Sequence, residues 1–152
     1  MYYNVIVMKM NEEIKKAIIL ENYQNPKNRG LIKDDTYIYI NTNSESCIDQ
    51  IDLQLKVENN IVKDIKFDGE ACAICTSSTS IMINSLIGKT LEEALYIIDN
   101  FENMINEKEY YEGILGEAIV YSDIAKQPNR KNCALLTWQG IKKIVREVND
   151  NE

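Results

Sequence analysis

Two neighbouring stretches of alternating apolar and polar residues constrain the fold of this chain most. They are residues 50–57, QIDLQLKV, and residues 60–67, NIVKDIKF, and they are joined by ENN at 58–60, whose last residue begins the second stretch. Alternation over eight residues is typical of a half-buried strand, and Asn-rich pairs favour tight turns. The stretches therefore predict an antiparallel hairpin. The apolar residues expected on one face are Ile51, Leu53, Leu55 and Val57, then Ile61, Ile65 and Phe67, with Lys63 as the exception.

Helical patterns surround this hairpin. Residues 10–24 predict a first helix that begins near Asn11, and a short strand is predicted at 36–41. Residues 76–87 predict a helix that ends at Gly88, and Thr90 with Glu93 forms a capping box before the next helix. Residues 101–130 carry no clear pattern. The apolar face of the first helix is predicted at Ile14, Ala17, Ile18 and Tyr23, and that of the last helix at Ala134, Trp138, Ile141, Val145 and Val148.

The predicted fold class is α+β, with a small antiparallel sheet of three strands covered by helices. A length of 152 residues suits one domain, which we expect at residues 10–150. Residues 1–9 are expected to be a disordered arm or to precede the true start. They contain no basic segment followed by a long apolar run, so no targeting segment is expected.

The charge balance disfavours two classes of partner. The formal net charge is −7, and the 17 basic residues are spread along an acidic chain. Nucleic-acid binding needs concentrated Lys and Arg, and an anionic membrane surface repels acidic proteins, so we expect neither partner. The expected location is the cytoplasm, where cysteines more often bind metal or act in catalysis than form disulfides.

The four cysteines are Cys47, Cys72, Cys75 and Cys133, and the chain has no histidine. Cys47 is expected in the loop before the strand at 50–57, with Asp49 two residues later on the same side of an extended chain. Cys72 and Cys75 are expected between a strand and a helix, and Cys133 at the start of the last helix. Three thiolates and one carboxylate form a tetrahedral donor set that suits zinc. Spacing alone is also compatible with the alternative that Cys47 and Cys133 are buried core cysteines.

A thioredoxin-like dithiol is a further interpretation of Cys72 and Cys75. That motif normally follows the first strand of a βαβ unit. Here the pair follows an antiparallel hairpin, which disfavours the interpretation.

Several motifs together resemble the U-type iron–sulfur cluster assembly family, which includes IscU and the N-terminal domain of NifU. ENYQNPKNRG resembles the signature at the end of the family's first helix, CID its Cys-Gly-Asp, and GEACAICTSSTS its Gly-x-Gly-Cys before a helix of small residues. GKTLEEAL and RKNCALLTWQGIKK are also similar to family motifs, so the resemblance covers residues 11–148. The long gap between Cys72 and Cys133, with Asn132 where IscU-type scaffolds have His, is closest to the SufU branch.

The resemblance implies a zinc site formed by Cys47, Asp49, Cys72 and Cys133. It also implies that Cys133 accepts persulfide sulfur from a SufS-like cysteine desulfurase, as a transfer partner rather than a stand-alone enzyme, alongside other iron–sulfur assembly proteins. The alternative is a scaffold that builds a [2Fe–2S] cluster on the same cysteines. A third possibility is a structural-zinc module that only stimulates or docks on the desulfurase.

The sequence departs from the family pattern at two glycines, which are replaced by Ile48 and Ala71. Cys75 is an additional thiol, interpreted as a spare ligand in place of Asp49, a relay thiol or a buried apolar side chain. Arg130 is expected to steer an anionic persulfide, to pair with Asp49 or to be solvated. The Ser and Thr residues at 76–80 are expected to cap and pack a helix, since no histidine is present to act as a base.

Overall fold

The computed structural model describes residues 11–44 and 47–150, with the backbone alone at residues 44, 47 and 48. Helix α1 spans Glu12–Gln24, and strands β1, β2 and β3 span Ile38–Ser44, Cys47–Glu58 and Ile61–Glu70. Helices α2 (Ala73–Leu86), α3 (Leu91–Ile105) and α4 (Pro128–Asp150) follow. Two 3₁₀ segments, Glu112–Ile114 and Gly116–Lys126, lie between α3 and α4. The arm expected at residues 1–9 lies outside the described residues.

The three strands form one antiparallel sheet in the order β1-β2-β3, so the predicted α+β class is confirmed. Glu58 pairs with Ile61, and the two residues between them, Asn59 and Asn60, have φ angles of 52° and 64°. Two consecutive positive φ angles define the type I′ turn, which matches the twist of a two-residue hairpin and which Asn tolerates well. The predicted hairpin is therefore confirmed, including its turn.

A bulge in β3 changes which residues face the core. Lys56 pairs with Asp64 but Val57 pairs with Val62, so Lys63 is an extra residue in β3. An extra residue reverses the alternation on one side of a bulge. Val62 therefore joins Phe67 in the core, and Ile61, which was expected there, is only half-buried. The prediction was wrong for Ile61 because it assumed that the same alternation of inward and outward residues continues through the whole strand.

The helices cover the sheet and enclose an aromatic centre. Helix α4 packs on β1, β2, α2 and α3, and its Trp138 is fully buried. The Trp138 ring stacks on Phe101 of α3 with centroids 3.9 Å apart, and Tyr121 meets Phe101 edge-on at 6.2 Å. The predicted apolar stripe of α4 is buried up to Val145, and Val148 packs at its edge.

The small hydroxyl residues of α2 join the helices to one another. Residues 77–80 have no solvent exposure. Ser78 accepts a hydrogen bond from the indole N–H of Trp138 (2.9 Å) and donates to the carbonyl oxygen of Ala134 (2.7 Å). Ser80 donates to Oδ1 of Asn22 in α1 (2.7 Å). These contacts confirm that the Ser/Thr stretch has a packing role, since buried hydroxyls need such partners.

Helix α1 presents a different face to the core from the one predicted. Asn22 is its buried residue, and Ile18 and Ile19 pack at the edge of the core. Ile14 and Tyr23, which were expected to pack, are exposed. The helix contains apolar residues on more than one side, so its sequence pattern did not show which side packs on the core. The contact between Asn22 and Ser80 determines that side.

The loop after α1 runs along β3. Asn28 has φ of 60°, and its side-chain amide donates to Oδ1 of Asp64 and to the carbonyl of Ile65, both at 3.0 Å. The backbone N–H of Gly30 donates to the carbonyl of Phe67 (2.7 Å). The Asn-Pro-Lys-Asn-Arg-Gly segment therefore fixes α1 against the sheet.

The segment that gave no clear sequence pattern, residues 101–130, contains the end of α3, two 3₁₀ segments and the start of α4. A 3₁₀ helix has three residues per turn and seldom produces a long amphipathic pattern. No helix within residues 11–44 and 47–150 combines the length and apolarity needed to span a membrane.

Candidate metal centre

Cys72 is the N-cap residue of α2. It has an extended backbone (φ −65°, ψ 168°), and its Sγ accepts the backbone N–H of Cys75 at 3.4 Å. The helix begins at Ala73, three residues earlier than predicted, so Cys75 lies in its first turn. The Cys72 side chain is exposed. The Cys72 sulfur therefore lies at the partially positive end of the helix.

Asp49 lies at the base of the site. Strand β2 begins at Cys47, so the loop expected around Cys47 and Asp49 is strand instead. The Asp49 side chain is 4% exposed, and its Oδ1 accepts the backbone N–H of Cys72 at 2.8 Å. This hydrogen bond holds the carboxylate beside the Cys72 main chain.

A close approach of β2 and β3 makes the hydrogen bond between Asp49 and Cys72 possible. Gly69 in β3 has φ of +131°, and a Cβ at this position would lie 2.3 Å from the carbonyl oxygen of Gln50. Only glycine fits so close to another backbone. Ala71, which replaces a family glycine, does not have a positive φ angle. The glycine that the local backbone needs is therefore present at position 69.

Cys133 lies in the second turn of α4, not at its start. The helix begins at Pro128, and the Cys133 thiol donates to the carbonyl oxygen of Asn129 (3.6 Å). The Cys133 side chain is 8% exposed. The prediction that Cys133 opens the helix was wrong because the first turn, PNRK, is polar and carries no apolar periodicity. The first-turn N–H groups therefore belong to residues before Cys133, and those of Arg130 and Lys131 donate to the carbonyl oxygen of Gln127 at 3.0 Å.

Three side chains of the types that can ligate a metal converge at this point. The carboxylate of Asp49 and the sulfurs of Cys72 and Cys133 have ligand atoms that all lie within 4.8 Å of one another. Tetrahedral zinc with Zn–S bonds of about 2.3 Å separates two sulfur ligands by about 3.8 Å. Small side-chain movements would therefore bring these donors to bonding distance. Two sulfurs and a carboxylate oxygen also match zinc in chemistry, so the residues fit the ion.

The fourth expected donor, Cys47, has its backbone at the start of β2, where it pairs with Ser44. Its side chain lies outside the described residues. Its role as a ligand therefore stays a prediction.

Cys75 is not one of the three convergent donors. Its side chain has no solvent exposure and belongs to the hydrophobic core. The OH of the neighbouring Tyr121 is 2.5 Å from Oγ of Ser77. Burial raises the pKa of Tyr121, and the nearby thiols of Cys75 and Cys72 raise it further, against the opposing effect of the Ser77 hydrogen bond. The Tyr121 side chain near Cys75 and Cys72 is therefore a neutral phenol at neutral pH.

An open, mostly apolar groove of about 770 Å³ adjoins Cys72 and Cys133. Its far wall is α1, which contributes Lys16, Ile19, Leu20 and Tyr23. Leu20 is 51% exposed, although it is a large apolar side chain. Arg130 also lines the groove, whereas its pairing with Asp49 stays a prediction. The α1 wall was not predicted from the sequence, although IKKAIIL contains more apolar residues than one packed stripe requires.

The chain is similar to known proteins over most of its length. The model of the NifU-like N-terminal domain matches residues 14–143. The zinc-dependent sulfurtransferase SufU of Bacillus subtilis is 35% identical over 133 residues, which are 87% of this chain and 89% of the relative. The iron–sulfur cluster assembly scaffold protein IscU of Thermotoga maritima is 37% identical over 130 residues, or 86% and 91% of the two chains. A crystal structure from Fervidobacterium islandicum, described as an iron–sulfur cluster assembly scaffold protein for the SUF system, aligns with a TM-score of 0.76 at 35% identity and covers 80% of this chain and 89% of that chain.

Proposed function

The chain belongs to the NifU-like N-terminal domain family, and from this premise we propose that it is a zinc-dependent sulfur acceptor in iron–sulfur cluster assembly. The observation that carries the proposal is the convergence of Asp49, Cys72 and Cys133 within 4.8 Å beside an open groove. The similarity to SufU of Bacillus subtilis supports zinc as the metal and sulfur transfer as the activity.

The proposed ligands are Cys47, Asp49, Cys72 and Cys133. Cys47 completes the set because it stands two residues before Asp49 in β2. When bound, zinc supplies a positive charge that keeps the thiols deprotonated and less open to oxidation. The protein contributes the spacing of the donors, through the N-cap position of Cys72 and its hydrogen bond to Asp49.

Cys133 is the proposed sulfur acceptor. Its thiolate attacks the outer sulfur of the persulfide on a cysteine desulfurase, a Cys133 persulfide forms, and the desulfurase cysteine leaves as a thiolate. The bond broken is the sulfur–sulfur bond of the donor, so no external oxidant or reductant is needed. Cys133 is the deeper of the two described sulfurs, being 8% exposed where Cys72 is exposed, and a bound persulfide there is better shielded from water.

We propose that the groove receives the segment of the desulfurase that carries the persulfide. Its apolar residues offer contact area, and the cations Lys16 and Arg130 at its walls favour an anionic persulfide. The proposed compartment is the cytoplasm, since a site built from reduced thiols needs a reducing environment.

The second candidate is a scaffold on which a [2Fe–2S] cluster forms as cargo. The similarity to IscU of Thermotoga maritima favours it, and the same thiolates are suitable cluster ligands. The two candidates differ in what the purified protein contains. A scaffold purified without oxygen is expected to be coloured and to contain iron and sulfide, whereas the sulfur acceptor is colourless and contains zinc.

Sulfur acceptance is tested by locating the persulfide after the protein is incubated with a cysteine desulfurase and cysteine. Trypsin separates the cysteines, because Cys47 lies in peptide 34–56, Cys72 and Cys75 in 67–89, and Cys133 in 132–142. Mass spectrometry is expected to find the additional sulfur on 132–142, and Cys133→Ser is expected to abolish it. Additional sulfur confined to another peptide, or desulfurase stimulation that Cys133→Ser leaves intact, would contradict the proposed role.

A further inference from the structure

We propose that Cys72 and Cys75 are a resolving pair that closes an intramolecular disulfide when Cys72 is attacked by a low-molecular-weight disulfide such as oxidised glutathione. This inference concerns a thiol, Cys75, that the proposed function does not use. The formation of the bond needs neither zinc nor a desulfurase.

The position of the two residues at the start of α2 supports this bond. Cys72 is the N-cap and Cys75 is three residues later, in the first turn. Helix geometry separates residues i and i+3 by about 5 Å between Cα atoms. A disulfide needs about 4.4–6.8 Å between Cα atoms, so the main chain already has the required spacing. The Cys72 sulfur lies 3.4 Å from the backbone nitrogen of Cys75, which places it over the residue that would attack it.

The different exposure of the two thiols determines the order of events. Cys72 is exposed at the groove, whereas Cys75 has no solvent exposure. A dissolved disulfide therefore reaches Cys72 and not Cys75. Cys75 meets the sulfur of Cys72 by side-chain rotation, since both residues lie within one helical turn.

The chemistry consists of two thiol–disulfide exchanges. The Cys72 thiolate attacks one sulfur of the small disulfide, whose sulfur–sulfur bond breaks, and one small thiolate leaves. The Cys75 thiolate then attacks Sγ of Cys72, and the second small thiolate leaves. The two cysteines lose two electrons and two protons, and the small disulfide is reduced to two thiols.

A disulfide between these residues withdraws Cys72 from the donor set that it forms with Asp49 and Cys133. A protein oxidised in this way is expected to lose its metal and to regain the site after thiol reduction. This consequence rests on the proposed zinc site, whereas the bond itself does not.

The main competitor is Cys133, whose sulfur lies within 4.8 Å of the Cys72 sulfur. A bond between Cys72 and Cys133 would join two separate elements, α2 and α4, whereas Cys72 and Cys75 both lie at the start of α2. The Cys133 thiol is also hydrogen-bonded to the carbonyl of Asn129 within its own helix. The local pair needs no movement between elements, which favours Cys75.

The test uses the full-length protein, freed of metal with a chelator, incubated with oxidised glutathione, alkylated and digested with trypsin. Peptide 67–89 carries both Cys72 and Cys75 and neither of the other cysteines. In the wild type this peptide is expected to be lighter than its reduced form by two hydrogens. It is expected to carry neither an alkyl group nor glutathione. In Cys75→Ser the same peptide is expected to retain glutathione on Cys72. Cys133→Ser, which removes the competing thiol, is expected to behave as the wild type.

Three results would overturn the proposal. They are a cross-link from peptide 67–89 to 132–142 or 34–56, glutathione that persists on Cys72 in the wild type, and a peptide 67–89 that stays fully reduced. Serine is a near-isosteric replacement next to the buried Thr76 and Ser77, so Cys75→Ser is expected to fold, which circular dichroism checks. The wild-type peptide map decides the question even if that variant does not fold.

Discussion

Replacement of Asp49 by Asn tests whether its carboxylate is a ligand or only a structural group. In the structure its Oδ1 accepts the backbone N–H of Cys72 at 2.8 Å. Asn keeps an acceptor at the same place, so a charge-assisted bond worth about 1.5–3 kcal/mol becomes a neutral one worth about 0.5–1.5 kcal/mol. Removal of a carboxylate that is 4% exposed offsets this loss, because buried charge is unfavourable. The metal-free protein is therefore expected to change in unfolding free energy by about 1 kcal/mol or less.

The effect on zinc binding is expected to be much larger. Four-ligand structural zinc sites bind with about 10–16 kcal/mol, so one ligand contributes about 2.5–4 kcal/mol on average. That energy corresponds to a zinc affinity lower by on the order of 100- to 1000-fold. The assay is a zinc competition titration against a chromophoric chelator, together with urea unfolding of the metal-free protein.

Asp52→Asn is the matched control for this experiment. Asp52 lies on the same strand and accepts hydrogen bonds from Tyr39 and Asn41, both at 2.6 Å, outside the proposed site. The Asp52→Asn substitution removes the same charge and is expected to leave zinc affinity unchanged. Zinc binding by Asp49→Asn as tight as that of the wild type, or an equal loss of zinc affinity in both variants, would contradict the role of Asp49 as a ligand.

Two further predictions concern the backbone around the site and the alkaline limit of stability. Gly69→Ala should lower the urea-unfolding free energy by about 1–3 kcal/mol more than Gly30→Ala, because both have positive φ but only the Cβ at 69 meets the Gln50 carbonyl; equal losses would contradict the clash. The Tyr37 hydroxyl donates a hydrogen bond to Asp64. This bond is the main cause, and burial the second cause, that raises the pKa of Tyr37 to about 12. Since the folded pKa lies above the unfolded value near 10, the stabilisation is complete below about pH 10 and is lost as pH rises towards 12. Absorbance titration of wild type and Tyr37→Phe should differ by one group near pH 12, and an identical alkaline titration would refute this assignment.

The parts of the fold that the sequence predicted are those governed by local rules. The alternation in β2, the Asn59–Asn60 turn and the Thr90 capping box each depend on residues within a few positions of one another. The structure confirms the turn by its two positive φ angles and the capping box by both of its hydrogen bonds. Such features are readable because their physical cause lies within the segment itself.

The features that the sequence did not predict depend on contacts between distant segments. The bulge at Lys63 depends on how β3 aligns with β2, and one extra residue exchanges the positions of Ile61 and Val62. The packed face of α1 depends on Asn22 meeting Ser80, which is 58 residues away. These choices depend on tertiary packing, which a single periodic pattern does not encode.

The candidate site was predictable in composition but not in placement. The sequence identified Asp49, Cys72 and Cys133 through the family resemblance, and the structure brings these three together. It did not predict that Cys72 caps α2 or that Cys133 lies one turn inside α4. The strand and helix bounds that set these positions extend into polar residues, where hydrophobic periodicity gives no signal.

Metal content is the measurement that tests the central claim most directly. Protein purified without chelators, as wild type and as the four single Cys→Ser variants, is analysed for zinc, iron and sulfide. We expect one zinc per chain in the wild type, its loss in Cys47→Ser, Cys72→Ser and Cys133→Ser, and its retention in Cys75→Ser. Zinc retained in Cys72→Ser but lost in Cys75→Ser, or iron and sulfide in place of zinc, would contradict the account.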